Sequence, residues 1–358
     1  MSAPVAPSRD TRAMALWLFS MCALVALMVT VGGATRLTDS GLSITEWKPV
    51  TGAIPPLSAE AWGVEFEKYK RIPEYELVNR GMSLEEFKVI YWWEWGHRFL
   101  GRLIGLAFVI PLIFFALRGA VDRALGGRLF ALLLLGGAQG ALGWYMVQSG
   151  LTERVDVSQY RLAAHLGLAI FLFAALLWTA LDLRARAAPT VEAAPAMAFS
   201  PGVFWGAIAL CVAVYGQIIL GAFVAGLRAG RTYTTWPLMD GRFFPAAYFE
   251  TGGALAFFES VAAVQFNHRI GAYLLAFAGL WFVAAVQKTA IAKPARWFAA
   301  ALAAQILIGI ATLVSATPLS LGLIHQAGAL AVFTTILFTA HQAVLVQRSA
   351  SAPAAVSS

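Results

Sequence analysis

Charge is scarce in this sequence. Only 13% of its 358 residues are Asp, Glu, Lys or Arg, 59% are hydrophobic, and the mean hydropathy is +0.71. Soluble domains carry about 25% charged residues, so a water-soluble enzyme is excluded. Cysteine is scarcer still: Cys22 and Cys211 are the only two, and both fall within apolar runs. Thiols in such runs act as small core residues, and with none in the polar loops a disulfide scaffold is excluded. The positive excess is modest and dispersed. A formal net charge of +7 comes from basic residues spread over several short loops, which does not make the single patch of a nucleic-acid surface.

Long apolar runs take the place of charge. Eight stretches, near 14–34, 97–117, 128–148, 161–181, 202–224, 262–286, 296–316 and 322–346, approach or reach the roughly 20 residues that cross a bilayer. The expected fold is an all-α polytopic membrane protein, with eight transmembrane helices as two pseudo-symmetric four-helix bundles. The first run is too long for a signal h-region and lacks a clear cleavage site, so it is read as a retained helix. Positive residues set the orientation. With the N-terminus inside, the inner segments hold eleven basic residues against Asp10, Asp122, Asp182 and Glu192, and loop 35–96, with seven basic and ten acidic residues, lies outside. The chain divides into an arm (1–13), an N-terminal half (14–183), an Ala/Pro-rich linker (184–200), a C-terminal half (201–348) and a low-complexity tail (349–358).

Internal repetition organises the helices. GAQGALGWYMVQSGL at 137–151 aligns with AAQILIGIATLVSAT at 303–317, matching Gln139 to Gln305, Gly143 to Gly309 and Ser149 to Ser315. WKPVTGAIPP at 47–56 echoes TWPLMDGRFFP at 235–245. Each half has an even number of helices, so the halves share one orientation, a parallel repeat.

Four of the five histidines follow the repeat. His97-Arg98 and His268-Arg269 open matching helices, and His165 and His325 recur downstream in each half. Each stands near the expected start of a helix running inward, so all four imidazoles share one depth. Paired histidines on facing helices are how bundles ligate haem iron. Zinc is the competing occupant, but its sites gather their ligands in one place and recruit Cys or carboxylate. Neighbouring glycines (Gly96, Gly101, Gly105, Gly167, Gly271, Gly328) would let a flat macrocycle approach the backbones, or serve ordinary helix packing. His341, about 24 Å beyond His325 along a helix, has no counterpart in the first half and is read as an interfacial residue.

Glu94 breaks the symmetry. It lies about one turn from His97, and the matching residue near His268 is the uncharged Gln265. A carboxylate beside one site could move a proton or stabilise developing positive charge; a glutamate in water at the membrane edge is the plainer reading. Arg98, Arg102, Arg269 and Arg36 could fork onto haem propionates or anchor to lipid phosphates. Trp92, Trp93 and Trp95 could stack on a porphyrin or join an interfacial aromatic belt.

These motifs together resemble the haem A synthases: GGATRLTDSGLS, the W-x-P-x-x-G-x-x-P-P loop, EWGHRFLGR, QGALGWYMVQSGL, FNHRIGAY and the helices of His165 and His325. The resemblance covers nearly the whole chain and implies oxidation of the C8 methyl of haem O to the formyl of haem A. The implied mechanism is successive hydroxylation with water as oxygen source. It implies that His268 and His325 hold a haem b cofactor, that His97 and His165 serve the haem O/haem A site, and that Glu94 matters for turnover. It also implies a bacterial inner membrane setting, with sites towards the periplasmic side and both termini cytoplasmic. The expected partners are the farnesyltransferase that makes haem O, cytochrome oxidase assembly factors, an electron acceptor, the lipid bilayer and a possible second copy of the chain, with no nucleic acid. The first external loop lacks the cysteine pair of many members, which places the chain with the cysteine-free alphaproteobacterial or mitochondrial type. A dihaem b cytochrome that moves electrons without altering its haem is the alternative, and a haem chaperone a third.

Overall fold

The computed structural model describes residues 9–152, 154–187 and 201–350. Among these residues helices are the regular structure, apart from one isolated bridge between Met239 and Arg242. The helices are α1 (Arg9–Leu37), α2 (Ala59–Tyr69), α3 (Pro73–Leu77), α4 (Leu84–Leu117), α5 (Arg123–Leu151), α6 (Gln159–Ala187), α7 (Pro201–Gly226), α8 (Ala256–Glu259), α9 (Val261–Ala285), α10 (Ala292–Val314) and α11 (Leu319–Ala350). Eight of them, all but α2, α3 and α8, are long and apolar enough to cross a membrane. α6 runs on to Ala187, into the expected linker, and α11 to Ala350, into the expected tail; residues 188–200 and 351–358 lie outside the described residues.

Helix α4 departs most from expectation. It begins at Leu84, more than three turns before His97, because Ser83 and Glu86 form a capping box that starts the helix in the polar loop. His97 therefore stands deep in its helix, whereas His165, His268 and His325 stand within about two turns of their helix starts.

Within the first half α1 packs on α4 and α6, and α5 on α4 and α6; within the second, α7 packs on α9 and α11, and α10 on α9 and α11. The halves meet through α1–α11, α6–α7 and α6–α11. The apolar core fills this centre, with Leu18, Ile170, Leu176 and Ile336 at 2% exposure or less.

Ion pairs hold both ends of the junction. At one end Asp156 accepts from Arg36 at 2.6 Å and from Arg228 at 2.8 Å, and Arg228 reaches Asp39 at 2.8 Å. Burial pushes the Asp156 carboxyl up, but the Arg228 and Arg36 guanidiniums outweigh it and hold it below the usual carboxylate range. At the other end His341 meets Asp182 at 3.0 Å, and Asp182 also pairs with Arg128 at 2.7 Å.

The loop after α1 builds a second, external core. Trp62, Phe66, Tyr69, Phe87 and Tyr91 pack with Leu42 and Ile44 under α2, α3 and the start of α4. Glu74 is buried there against the Tyr69 hydroxyl, and burial raises its pKa to about 8.

Candidate functional site

In the C-terminal half α9 and α11 bring His268 and His325 together, with ring centres 6.4 Å apart and planes at 84°. A metal held between two imidazoles at about 2.0 Å from each nitrogen sets ring centres roughly 6 Å apart, so these two residues fit a bis-imidazole iron. A glutamine grips each ring from the preceding helix. Gln217 Nε2 on α7 lies 3.0 Å from His268 Nδ1 and donates to the His268 carbonyl at 2.8 Å. Gln305 Nε2 on α10 lies 3.1 Å from His325 Nδ1 and donates to the His325 carbonyl at 2.8 Å. One turn on, a glycine lies beneath the imidazole. A Cβ on Gly221 would stand 3.2 Å from His268 Cε1, and one on Gly309 would stand 2.8 Å from His325 Cε1.

The N-terminal half repeats this arrangement at His165 only. Gln139 Nε2 lies 3.2 Å from His165 Nδ1 and donates to the carbonyl at 3.0 Å, while a Cβ on Gly143 would stand 2.9 Å from Cε1. His97 rests on Gly32 of α1, but its nearest atom is Nε2, at 3.0 Å from the added Cβ. Four residues before Gly32, where the other helices carry glutamine, α1 carries Met28. Among the described residues, His268–His325 is the histidine pair whose rings meet directly.

Glu94 is not a glutamate in water. It is 2% exposed, and four hydrogen bonds occupy its two oxygens. Arg98 donates to Oε1 at 2.6 and 3.1 Å, and the Ser43 hydroxyl and Ile44 N–H each donate to Oε2 at 2.7 Å. Arg98 then reaches the carbonyls of Ile44 at 2.8 Å and Glu46 at 2.9 Å. The second half builds a similar clamp without the carboxylate: Gln265 accepts from Arg269 at 2.9 Å and donates to the Ala229 carbonyl at 2.7 Å. Arg269 holds the carbonyls of Tyr233 at 2.9 Å and Thr235 at 2.8 Å. Both arginines thus fasten a loop over the histidine helix, and Arg102 does likewise through the carbonyls of Lys48 and Pro49, each at 2.7 Å.

The other singled-out residues have local partners. Arg36 belongs to the ion cluster between the halves. Trp95 stacks on Phe99 at 4.8 Å and Trp92 meets Trp62 at 5.7 Å, while Trp93 is 37% exposed. His341, expected at the interface, is 1% exposed, paired with Asp182 and set edge-on to Trp178 at 5.1 Å. The glutamine grips were not anticipated, although Gln-x-x-x-Gly recurs at 139–143, 217–221 and 305–309.

The seams beside the two sites also differ. Between α9 and α10, Leu302 is buried, and a Cβ on Gly279 would meet it at 3.0 Å. In the repeat register the residue matching Leu302 is Gly136. On Gly136, Gly137 and Gly140 of α5, and Gly105 of α4, an added Cβ would find nothing within 4 Å. The first half thus has an open glycine where the second has the buried Leu302, while Phe108, which matches Gly279, is buried.

Residues 15–337 match the COX15-CtaA family, described as cytochrome oxidase assembly proteins. The chain is 55% identical over 331 residues to the heme A synthase of Parvibaculum lavamentivorans, covering 92% of this chain and 94% of that protein. It is 50% identical over 357 residues to the heme A synthase of Bradyrhizobium diazoefficiens, covering 98% and 97%. The heme A synthase of Nitrosospira multiformis is 48% identical over 333 residues, covering 92% of each chain. Gripped histidines, eight apolar helices and likeness along almost the entire length agree: this chain belongs to the COX15-CtaA family of cytochrome oxidase assembly proteins.

Proposed function

We propose that the protein is a haem A synthase that oxidises the C8 methyl group of haem O to a formyl group in its N-terminal half. The reaction balances as one methyl and one water giving one formyl, four protons and four electrons. Two hydroxylations yield a gem-diol, which loses water. His268 and His325 would hold haem b, which when bound supplies a one-electron relay to an external acceptor. His97 and His165 would receive the substrate. The observation that carries this division is Glu94 standing where Gln265 stands in an otherwise matched clamp.

The chain's own groups suit these tasks. Glu94 places a fixed negative charge beside the first site, and its firm hold by Arg98, Ser43 and Ile44 favours stabilising positive charge on the substrate over shuttling protons. Arg98 and Arg269 position the lids of the two sites; they retain few free donors for propionates. The open glycines of α5 would let a farnesyl tail lie along that helix in contact with lipid. The enzyme would sit in the bacterial inner membrane with its sites towards the periplasmic side, a reading supported by the distribution of its basic residues. It would receive haem O from the farnesyltransferase that makes it and deliver haem A to oxidase assembly factors, and it could work as a homo-oligomer.

Haem analysis of the purified protein tests the reading. From cells that supply haem O it should contain haem b together with haem A or a hydroxylated intermediate; from cells lacking haem O, haem b alone. Haem b alone in both preparations would make it an electron-carrying cytochrome, and unaltered haem O a chaperone.

A further inference from the structure

Three of the four site histidines share one support and the fourth lacks it. On α5, α7 and α10 a glutamine amide lies within 3.2 Å of the imidazole Nδ1 and bonds the histidine's own carbonyl, with a glycine four residues later beneath the ring. The Oε1 atoms of Gln139, Gln217 and Gln305 are all buried without a hydrogen-bond partner. Those of Gln217 and Gln305 press against Gly271 and Gly328, one turn beyond the histidines they serve. Ligation through Nε2 leaves the ring proton on Nδ1, which needs an acceptor. The amide nitrogen instead ties the ring edge to the histidine's own carbonyl, so the glutamine orients the ring and fixes it on its helix.

Met28 fills the same place opposite His97. Its Cε lies 3.1 Å from where a Cβ on Gly101 would stand, so the thioether occupies the space against the histidine helix that an amide occupies elsewhere. A thioether is at best a weak acceptor and donates nothing. The His97 ring lies on Gly32 as the other three rings lie on their glycines, with Nε2 and Cδ2 standing where those rings place Cε1 and Nδ1: the same position with the two ring edges exchanged, as no amide meets Nδ1. One feature, the missing amide, sets His97 apart from the other three.

We infer that His97 is the releasable ligand of the N-terminal site, and that Met28 in place of glutamine is what makes it so. The inference rests on the proposed substrate role of that half. A site that turns over a macrocycle must let it leave, and the ring that yields is the one without a polar hold. His165, gripped by Gln139, keeps its place. The C-terminal pair, gripped on both sides, retains its occupant. Gln139, Gln217 and Gln305 are positioning residues, acting through the histidines.

Release kinetics test this with haemin as the probe. The full-length protein in detergent is loaded with haemin, and transfer to excess apomyoglobin is followed optically. The wild type should release in two phases, a fast one from the N-terminal half and a slow one from the C-terminal half. Met28→Gln should slow the fast phase at least tenfold, and Met28→Leu should leave it unchanged. Gln217→Met should speed the slow phase at least tenfold and convert part of the low-spin spectrum to a high-spin, carbon monoxide-binding form. Two phases in the wild type, with the fast one indifferent to Met28→Gln, would overturn the inference while leaving the function standing. A single slow phase throughout would instead remove the N-terminal haem site, and the proposed function with it.

Discussion

In the C-terminal half both imidazoles are gripped by an amide and backed by a glycine, their rings meet at 6.4 Å, and Leu302 fills the seam beside them. In the N-terminal half one imidazole is gripped and one is not, the seam carries bare glycines, and a buried carboxylate replaces an amide in the clamp. The same four-helix frame is thus finished in two ways. One finish suits a resident group: every ligand is fixed and the walls are packed. The other, with one ungripped imidazole, open glycines on α5 and a carboxylate in the clamp, suits the substrate role proposed for it. Met28, Gly136 and Glu94 are among the residues at which the two halves differ in the repeat register.

The largest expected effect tests the charge difference. Glu94→Gln keeps the size of the side chain and its acceptor for Arg98, and makes the first clamp resemble the second. Removing one such electrostatic group typically lowers the rate by about 10²–10³, so haem A formation should fall by that order while haem b persists and haem O accumulates. Haem A made at the normal rate would break the comparison. The reciprocal Gln265→Glu sharpens it: the added negative charge should lower the midpoint potential of haem b in a redox titration without displacing it.

A smaller effect belongs to the junction between the halves. His341→Ala removes the α11 partner of Asp182, and a hydrogen bond to a charged group contributes about 1.5–3 kcal/mol. Thermal unfolding in detergent should shift downward while haem content and turnover per folded molecule stay near the wild type. Loss of haem b instead would couple the junction to the C-terminal site.

The smallest is confined to the external core that the N-terminal half alone carries through α2 and α3. Glu74 has its pKa raised by burial to about 8, so its neutral form stabilises the fold. That contribution is fully present below the ordinary carboxylate pKa of about 4.3 and is lost as pH rises towards 8. Protection of the segment around Tyr69, taken as the exchange rate relative to the intrinsic base-catalysed rate, should therefore fall between about pH 4.3 and pH 8, and Glu74→Gln should flatten the dependence. An unchanged dependence would mean that Glu74 is not the group responsible.

Much of this was legible in the sequence. Histidine is rare and polar, so four in matched places stood out against apolar runs, and Glu94 against Gln265 was visible as a difference in charge. The start of α4 was not, because hydropathy reports where a helix enters lipid, while Ser83 and Glu86 begin it in the polar loop. The burial of His341 depends on Asp182, 159 residues away, and no local pattern shows that contact. Gln139 and Gln305 were noticed as repeat markers, but the role of Gln217 was hidden because its counterpart in the first half is Met28.

The division of labour is tested most directly by haem extraction from four variants, His97→Ala, His165→Ala, His268→Ala and His325→Ala, each purified from cells that make haem O. The first two should retain low-spin haem b and contain no haem A; the last two should lose the low-spin haem b signal. Normal haem b in both His268→Ala and His325→Ala, or normal haem A in both His97→Ala and His165→Ala, would contradict it.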